Sequence, residues 1–471
     1  MTRRELLGYA ALLAPTLNLP IAADEGSGID AVLARIKAPV FANRDFDITK
    51  YGAKSDGRTK CTDAIRSAIH ACHAEGGGRV VVPQGTFFTG AVHLESNVNL
   101  YVSEGATLLF STDPRDYLPL VYTRFESTEC MNYSPLIYAF EKENVGLSGP
   151  GTLDGQADAT HWWDWTKKAR AGKTRDDKQS GPNDVQTLVE EMGNKDVPVK
   201  ERLFGLGHYL RPNFIQPYRC KNVLLEGFTV KRSPMWELNP TLCQNVTVRG
   251  VNIDCPNGPN NDGCDPDACA DVLIEKCTFS TGDDCIALKS GRNRDGRRVG
   301  VPTSNVIIQD CVMKDGHGGV SIGSEVSGGM KNIWVRRCEM SSPHLQRALR
   351  IKTNSYRGGD IENIWFTNVN VGQVADDVVQ VTFYYEEGPG GPFKPTVKNI
   401  FVADVVCDKS QYGLNLQGYP DDPISGVTLS NCTFNNASKE NNFQNVEGVK
   451  VSNVKVNGKL VTAAEMQANK R

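Results

Sequence analysis

Short runs of alternating apolar and polar residues recur through the middle and C-terminal parts of the chain. Val223-Leu224-Leu225-Glu226-Gly227-Phe228-Thr229-Val230 and Val246-Thr247-Val248-Arg249-Gly250-Val251 are typical. They are rich in β-branched residues and bounded by Gly, Asn and Asp, so they predict short strands rather than helices. An Asn stands directly before the first apolar position at Asn222, Asn245, Asn305, Asn332, Asn363 and Asn399, at steps of about 22 to 36 residues. Short strands at such a step, with an Asn at one corner, predict an all-β fold: a parallel β-helix whose coils each add strands to parallel sheets. Stacked Asn side chains would hydrogen-bond neighbouring backbone there and compensate a sharp turn.

The cysteines follow the same frame. Cys277, Cys311, Cys338 and Cys432 each come five residues after the first apolar position of a run. Free cysteine behaves as a small buried hydrophobe, so these four are expected in one interior stack. Cys264–Cys269 and Cys61–Cys72 leave room for a disulfide, and no spacing resembles a zinc site. Two segments depart from the repeat. Cys61–Ala74 has helical spacing (Ala64, Ile65, Ala68, Ile69, Cys72) and ends at Gly76-Gly77-Gly78, as a helix capping the open end of the solenoid would. Residues 157–215 interrupt the coils with Trp162-Trp163-Asp164-Trp165 and a charged, Gly- and Pro-punctuated stretch. This predicts a long loop excursion, its tryptophans serving as a sugar-stacking platform or as anchors onto the solenoid.

At 471 residues the chain exceeds what one compact core holds, about 250–300 residues, but a solenoid grows linearly. One domain over residues 24–471 is therefore expected. Residues 1–23 read as an export signal: paired Arg3-Arg4, an apolar stretch from Tyr9 to Leu19, and small residues at Ala22-Ala23. The arginine pair resembles a twin-arginine leader, which exports folded proteins. An exported protein, periplasmic or secreted and monomeric, is expected. Its apolar core is too short for a comfortable membrane span, and no other run approaches 20 apolar residues. With 52 basic and 55 acidic residues, no basic excess draws it to nucleic acid.

Three acidic positions carry the candidate chemistry. Asp262 lies in Asn260-Asn261-Asp262, and Asp283 and Asp284 lie one coil later in Gly282-Asp283-Asp284. Residues one coil apart stack at about 4.8 Å, so the carboxylates would crowd one patch and raise at least one pKa. Asp283 and Asp284 are adjacent and would face opposite ways in a regular strand, which predicts a bend aided by Gly282. His317 sits in Gly316-His317-Gly318-Gly319, where the glycines leave space for a substrate. Arg350 and Lys352 flank Ile351, and period-two alternation puts both cations on the outer face. Cations beside acids suggest a substrate with its own carboxylate.

These four motifs, in this order, resemble glycoside hydrolase family 28, the polygalacturonases. Tyr51-Gly52-Ala53-Lys54-Ser55-Asp56-Gly57 is similar to the opening of pectinase-like β-helices. The resemblance implies a right-handed parallel β-helix that hydrolyses α-1,4-galacturonosyl bonds of pectin, or of oligogalacturonides, with inversion. It implies no cofactor and no metal ion. It makes Asp283 the general acid, with Asp262 and Asp284 holding the attacking water, and inversion implies acid and base about 6.5–9.5 Å apart. By the same resemblance His317 helps keep the acid protonated, while Arg350 and Lys352, with Asn260, bind substrate. The family also uses a downstream Tyr, which Tyr384 and Tyr385 match equally. Gly323-Ser324-Glu325 and Asn132-Tyr133-Ser134-Pro135 resemble the bacterial exo-acting branch, whose cleft must be closed at one end. The 157–215 excursion and the Tyr122–Asn132 segment are the expected wall. Alternatives are an endo-acting enzyme, a hydrolase of rhamnogalacturonan or xylogalacturonan, a Ca²⁺-dependent pectate lyase, and a non-catalytic glycan-binding β-helix.

Overall fold

The computed structural model describes residues 21–166 and 185–468. Of the expected leader, residues 1–20 lie outside the described residues, as does the 167–184 part of the excursion. Helix α1 (Ile21–Arg35) lays Ile29, Val32 and Ile36 on Leu273, Ile307, Trp334 and Trp365, on the outside of the solenoid.

Beyond α1 the chain winds into the parallel β-helix that the alternation predicts. The register is regular: Val223 is followed on successive coils by Val246, Val272, Val306, Ile333, Ile364, Ile400 and Val427. Each of these side chains is buried. A uniform column like this lets one apolar residue per coil fill the interior, so the core lengthens without thickening. Helix α2 (Thr62–Ala74) closes the N-terminal end and buries Ile65, Ala68, Ile69 and Cys72, the face expected from its spacing.

The Asn corner is a ladder of side chains. The Nδ2 of Asn222 donates to Asn144 Oδ1 at 2.9 Å, Asn245 to Asn222 at 2.7 Å, Asn332 to Asn305 at 3.1 Å, Asn363 to Asn332 at 3.1 Å and Asn399 to Asn363 at 3.0 Å. The rungs thus bond each other, where bonds to backbone were expected. Each rung residue is left-handed; Asn332 has φ 60° and Asn363 φ 62°. Asn tolerates that region better than other non-glycine residues. After Asn399 the corner passes to Gly426, with φ 67°. Asn332→Ala should therefore cost about 2–3 kcal/mol, from backbone strain and two lost rungs, and Asn332→Gly about half of that. Urea unfolding midpoints of the two variants measure the difference; equal midpoints would remove the backbone share.

Cys277, Cys311 and Cys338 do stack on successive coils, but Val369 and Val405 intervene before Cys432. All fourteen cysteines are buried and unpaired. The Cys61–Cys72 bridge fails because the two residues sit eleven positions apart along α2, about 16 Å, far beyond disulfide reach. The Cys264–Cys269 bridge fails because Cys269 faces the coil below instead. The N–H of Cys243 lies 3.4 Å from its sulfur, continuing a column begun by Cys220 and Cys243.

One sheet positions the site. Its strands Ile286–Leu288, Val320–Gly323, Arg347–Lys352, Asp377–Thr382 and Tyr412–Gln417 pair in parallel, and single bridges through Cys264 and Leu238 extend it to Ile215–Tyr218 and Ile137–Phe140. Over that N-terminal extension lies the hairpin Val121–Phe125/Thr128–Asn132. Tyr138 donates its hydroxyl to the carbonyl of Tyr122, and Arg124 forms a fully buried ion pair with Asp267 at 2.8 Å. Removing one partner of such a pair typically costs about 3–5 kcal/mol, so the hairpin is a fixed wall rather than a lid. The three tryptophans are anchors. Trp162 is buried against Tyr117 and Trp165, and Trp163 donates to the carbonyl of Ser233.

Candidate active site

The strand before the acids ends at Thr281 and the next begins at Ile286, leaving Gly282–Cys285 as the expected bend. A Cβ on Gly282 would lie 2.0 Å from the carbonyl oxygen of Gly258, so only glycine lets the two coils meet there. The bend turns both aspartates toward the cleft. One oxygen each from Asp262, Asp283 and Asp284 lies within 4.8 Å of the others. These oxygens lie closer together than the 6.5–9.5 Å separation implied by inversion. Stacked coils and adjacent residues hold the carboxylates at strand spacing. A water hydrogen-bonded to two oxygens 4.8 Å apart sits about 2.7 Å from each, so a bridging nucleophile needs no wider gap.

The three acids differ in charge. Burial, then the neighbouring Asp265 and Asp283, push Asp262 well above the usual carboxylate range. Burial acts the same way on Asp284, but Lys352, Arg350 and Lys289 outweigh it and hold Asp284 well below that range. Lys352 Nζ lies 2.9 Å from Asp284 Oδ2, both side chains being buried. Nδ1 of His317 lies 2.9 Å from Oδ1 of Asp283, and this hydrogen bond raises the imidazole against its burial. The bond joins His317 to Asp283 and favours the charged imidazole. The glycines beside His317 make room for the protein, not for substrate. A Cβ on Gly318 would meet Ser321 Oγ at 2.4 Å, and one on Gly319 would meet Met340 Sδ at 2.7 Å.

Arg350 and Lys352 share the outer face with Ile351 buried between them, as alternation predicts. Their partners differ. Lys352 is committed to Asp284, whereas Arg350 stands 3.9 Å from Asp284 and its Nε has no hydrogen-bond partner among the described residues. Tyr385 joins them, its ring 5.4 Å from the Arg350 guanidinium and 5.2 Å from Lys352 Nζ. Tyr384 points away and packs on Tyr419. Asn260 lines the same cavity, its Oδ1 accepting from Arg211 Nη2 at 2.7 Å. The cavity, about 350 Å³, thus gathers all the sequence-predicted site residues with side chains at its wall or just behind it, except Tyr384.

The sequence points to the segments of the cavity wall, Tyr122–Asn132 and the 157–215 excursion, but not to the residues that join them. Lys289 Nζ bonds Glu325 Oε2 at 2.8 Å and lies 4.9 Å over the Trp236 ring. Arg292 bonds Glu126 and Glu190, each at 2.8 Å, so the hairpin tip and helix α3 (Val185–Asn194) of the excursion meet at one guanidinium. Period-two alternation past buried Ile286 and Leu288 would have placed Lys289 outward beside the acids. Glu126 and Arg211 arrive from distant loops with no local signal.

A carboxylate trio in a solenoid cleft lined by cations suits a glycoside hydrolase for an acidic chain. Residues 206–459 match the family model "Glycosyl hydrolases family 28", and the chain belongs to that family. It is 40% identical to an exopolygalacturonase of Thermotoga maritima of known structure, with a TM-score of 0.86 over 92% of this chain and 96% of that one. It is 27% identical to an exo-poly-alpha-D-galacturonosidase of Dickeya chrysanthemi over 88% of this chain and 75% of that protein. A probable polygalacturonase of Vitis vinifera is also 27% identical, over 83% of this chain and 74% of that protein.

Proposed function

We propose that the protein hydrolyses α-1,4-galacturonosyl bonds of polygalacturonate from a chain end, with inversion. The observation that carries this reading is the cavity itself: a carboxylate trio, Arg350 with a free Nε, and a wall locked by Arg292. Asp283, hydrogen-bonded to His317, protonates the leaving oxygen. Asp284, kept ionised by Lys352, takes the proton from a water that it holds together with Asp262. Arg350 receives a galacturonate carboxylate in its fork.

The chain-end reading rests on the hairpin and helix α3 walling the cavity at Arg292, and on the exo-acting relatives. Digestion of polygalacturonate should release galacturonate with only slow loss of viscosity. A fast viscosity collapse with little monomer would reject exo action, and products absorbing in the ultraviolet would indicate a lyase. Export is part of the proposal: the Arg3-Arg4 leader suits a protein exported folded, and fourteen buried, unpaired thiols suit folding in a reducing compartment.

A further inference from the structure

The part of the cavity lined by Lys289 and Arg292 differs in chemistry from Arg350. Its cations are already paired, Lys289 with Glu325 and Arg292 with Glu126, Glu190, Glu325 and Glu386. What it presents to a sugar is carboxylate oxygen, which accepts hydrogen bonds from hydroxyls. Glu126 stands at the tip of the hairpin, where Glu126 has φ 41° and Ser127 φ 62°. A two-residue turn of this kind is adopted freely by Asn-Gly, so holding a glutamate there costs backbone energy. Such strain points to a role for the side chain. Arg292 Nη1 fixes Oε2 of Glu126 at 2.8 Å, and the N–H of Arg292 bonds the Ser127 carbonyl. Oε1 has no hydrogen-bond partner among the described residues, and Glu126 lines the cavity with Asp262 and Asp283. Burial pushes Glu126 above the usual carboxylate range, against Arg292; in either protonation state an oxygen accepts from a hydroxyl.

We propose that Glu126 reads the end of the substrate by accepting a hydrogen bond from the C4 hydroxyl of the non-reducing terminal residue. In an α-1,4 chain every interior residue has that oxygen in a glycosidic bond, so only a terminus can make this contact. The inference rests on the chain-end reading above and names the residue that enforces it. Glu126 would be a specificity-determining residue, separate from the acids that act on the bond.

The test compares trigalacturonate with a trimer of equal length whose non-reducing residue is 4,5-unsaturated and lacks the C4 hydroxyl. Wild type should prefer the saturated trimer about 100-fold in kcat/KM. Glu126→Asn tolerates the left-handed turn but withdraws the oxygen. It should lower kcat/KM on the saturated trimer by at least tenfold and leave the unsaturated trimer within about threefold, so the preference falls at least tenfold. Glu126→Gln, which keeps length and an acceptor, should retain more of the preference than Asn. Equal losses on both trimers, or an unchanged preference, would overturn the role of Glu126. Polygalacturonate keeps the two readings apart. Mid-chain products from wild type would reject chain-end action itself, whereas intact monomer release with an unmoved preference would reject Glu126 alone.

Discussion

Asp283→Asn is expected to lower kcat on trigalacturonate by about a thousandfold, the middle of the range for a lost general acid. The variant is isosteric and leaves the bend at Gly282 intact, and its amide still faces His317, so folding should be unaffected. The assignment of acid and base then depends on the leaving group. Asp283 is joined to His317 by a 2.9 Å bond through which a proton can reach it. An aryl galacturonide whose phenol leaves near neutral pH needs little protonation, so Asp283→Asn should retain far more activity on it, within about tenfold of wild type. Asp284→Asn should fail on both substrates, because the water still lacks its base. The opposite pattern, with Asp284→Asn rescued by the good leaving group, would exchange the two roles. Raised Asp262 makes this test worth running on Asp262→Asn as well, since burial there also keeps a proton within reach of the bond.

The readable and unreadable parts of this molecule divide by periodicity. Column positions such as Val223 and Ile333, the cap face of α2 and the outward cations of strand Arg347–Lys352 all follow from a period of two or 3.6 applied to one segment. The bend at Gly282–Cys285 was legible because adjacent aspartates cannot share a strand face. The choice of Tyr385 over Tyr384 was not. A turn after Thr382 decides which ring meets Lys352, and both residues satisfy the same spacing. The charge states were beyond the sequence for another reason. They depend on depth and on partners from other coils: among the described residues Asp262 has no counter-ion at bonding distance, while Asp284 has Lys352, sixty-eight residues away. The wall at Arg292 combines both difficulties, since Glu126, Glu190 and Arg292 come from three separated segments and none belongs to the coil repeat.

Lys352→Met separates two roles that the sequence assigned together. As readers of one substrate carboxylate, Arg350 and Lys352 should behave alike when neutralised. The structure ties Lys352 to Asp284 and leaves Arg350 open. Lys352→Met, similar in length and apolar, strands a buried carboxylate, a loss of about 3–5 kcal/mol shared between folding and catalysis. Asp284 then titrates higher. The acid limb of the pH profile of kcat should move toward neutral pH, and kcat at its optimum should fall at least about 100-fold. Stability carries the matching sign. Because Asp284 is depressed in the folded protein, its contribution is complete above the ordinary aspartate value of about 3.9 and is lost as pH falls through the folded value. Wild type should therefore exceed Lys352→Met in stability at neutral pH, and the gap should close in strong acid. Arg350→Gln should instead raise KM with a smaller change in kcat and leave the acid limb where it is, the signature of lost substrate binding. If Lys352→Met raised only KM and its acid limb did not move, Lys352 would be a substrate ligand and the water-activating role of Asp284 would lose its support.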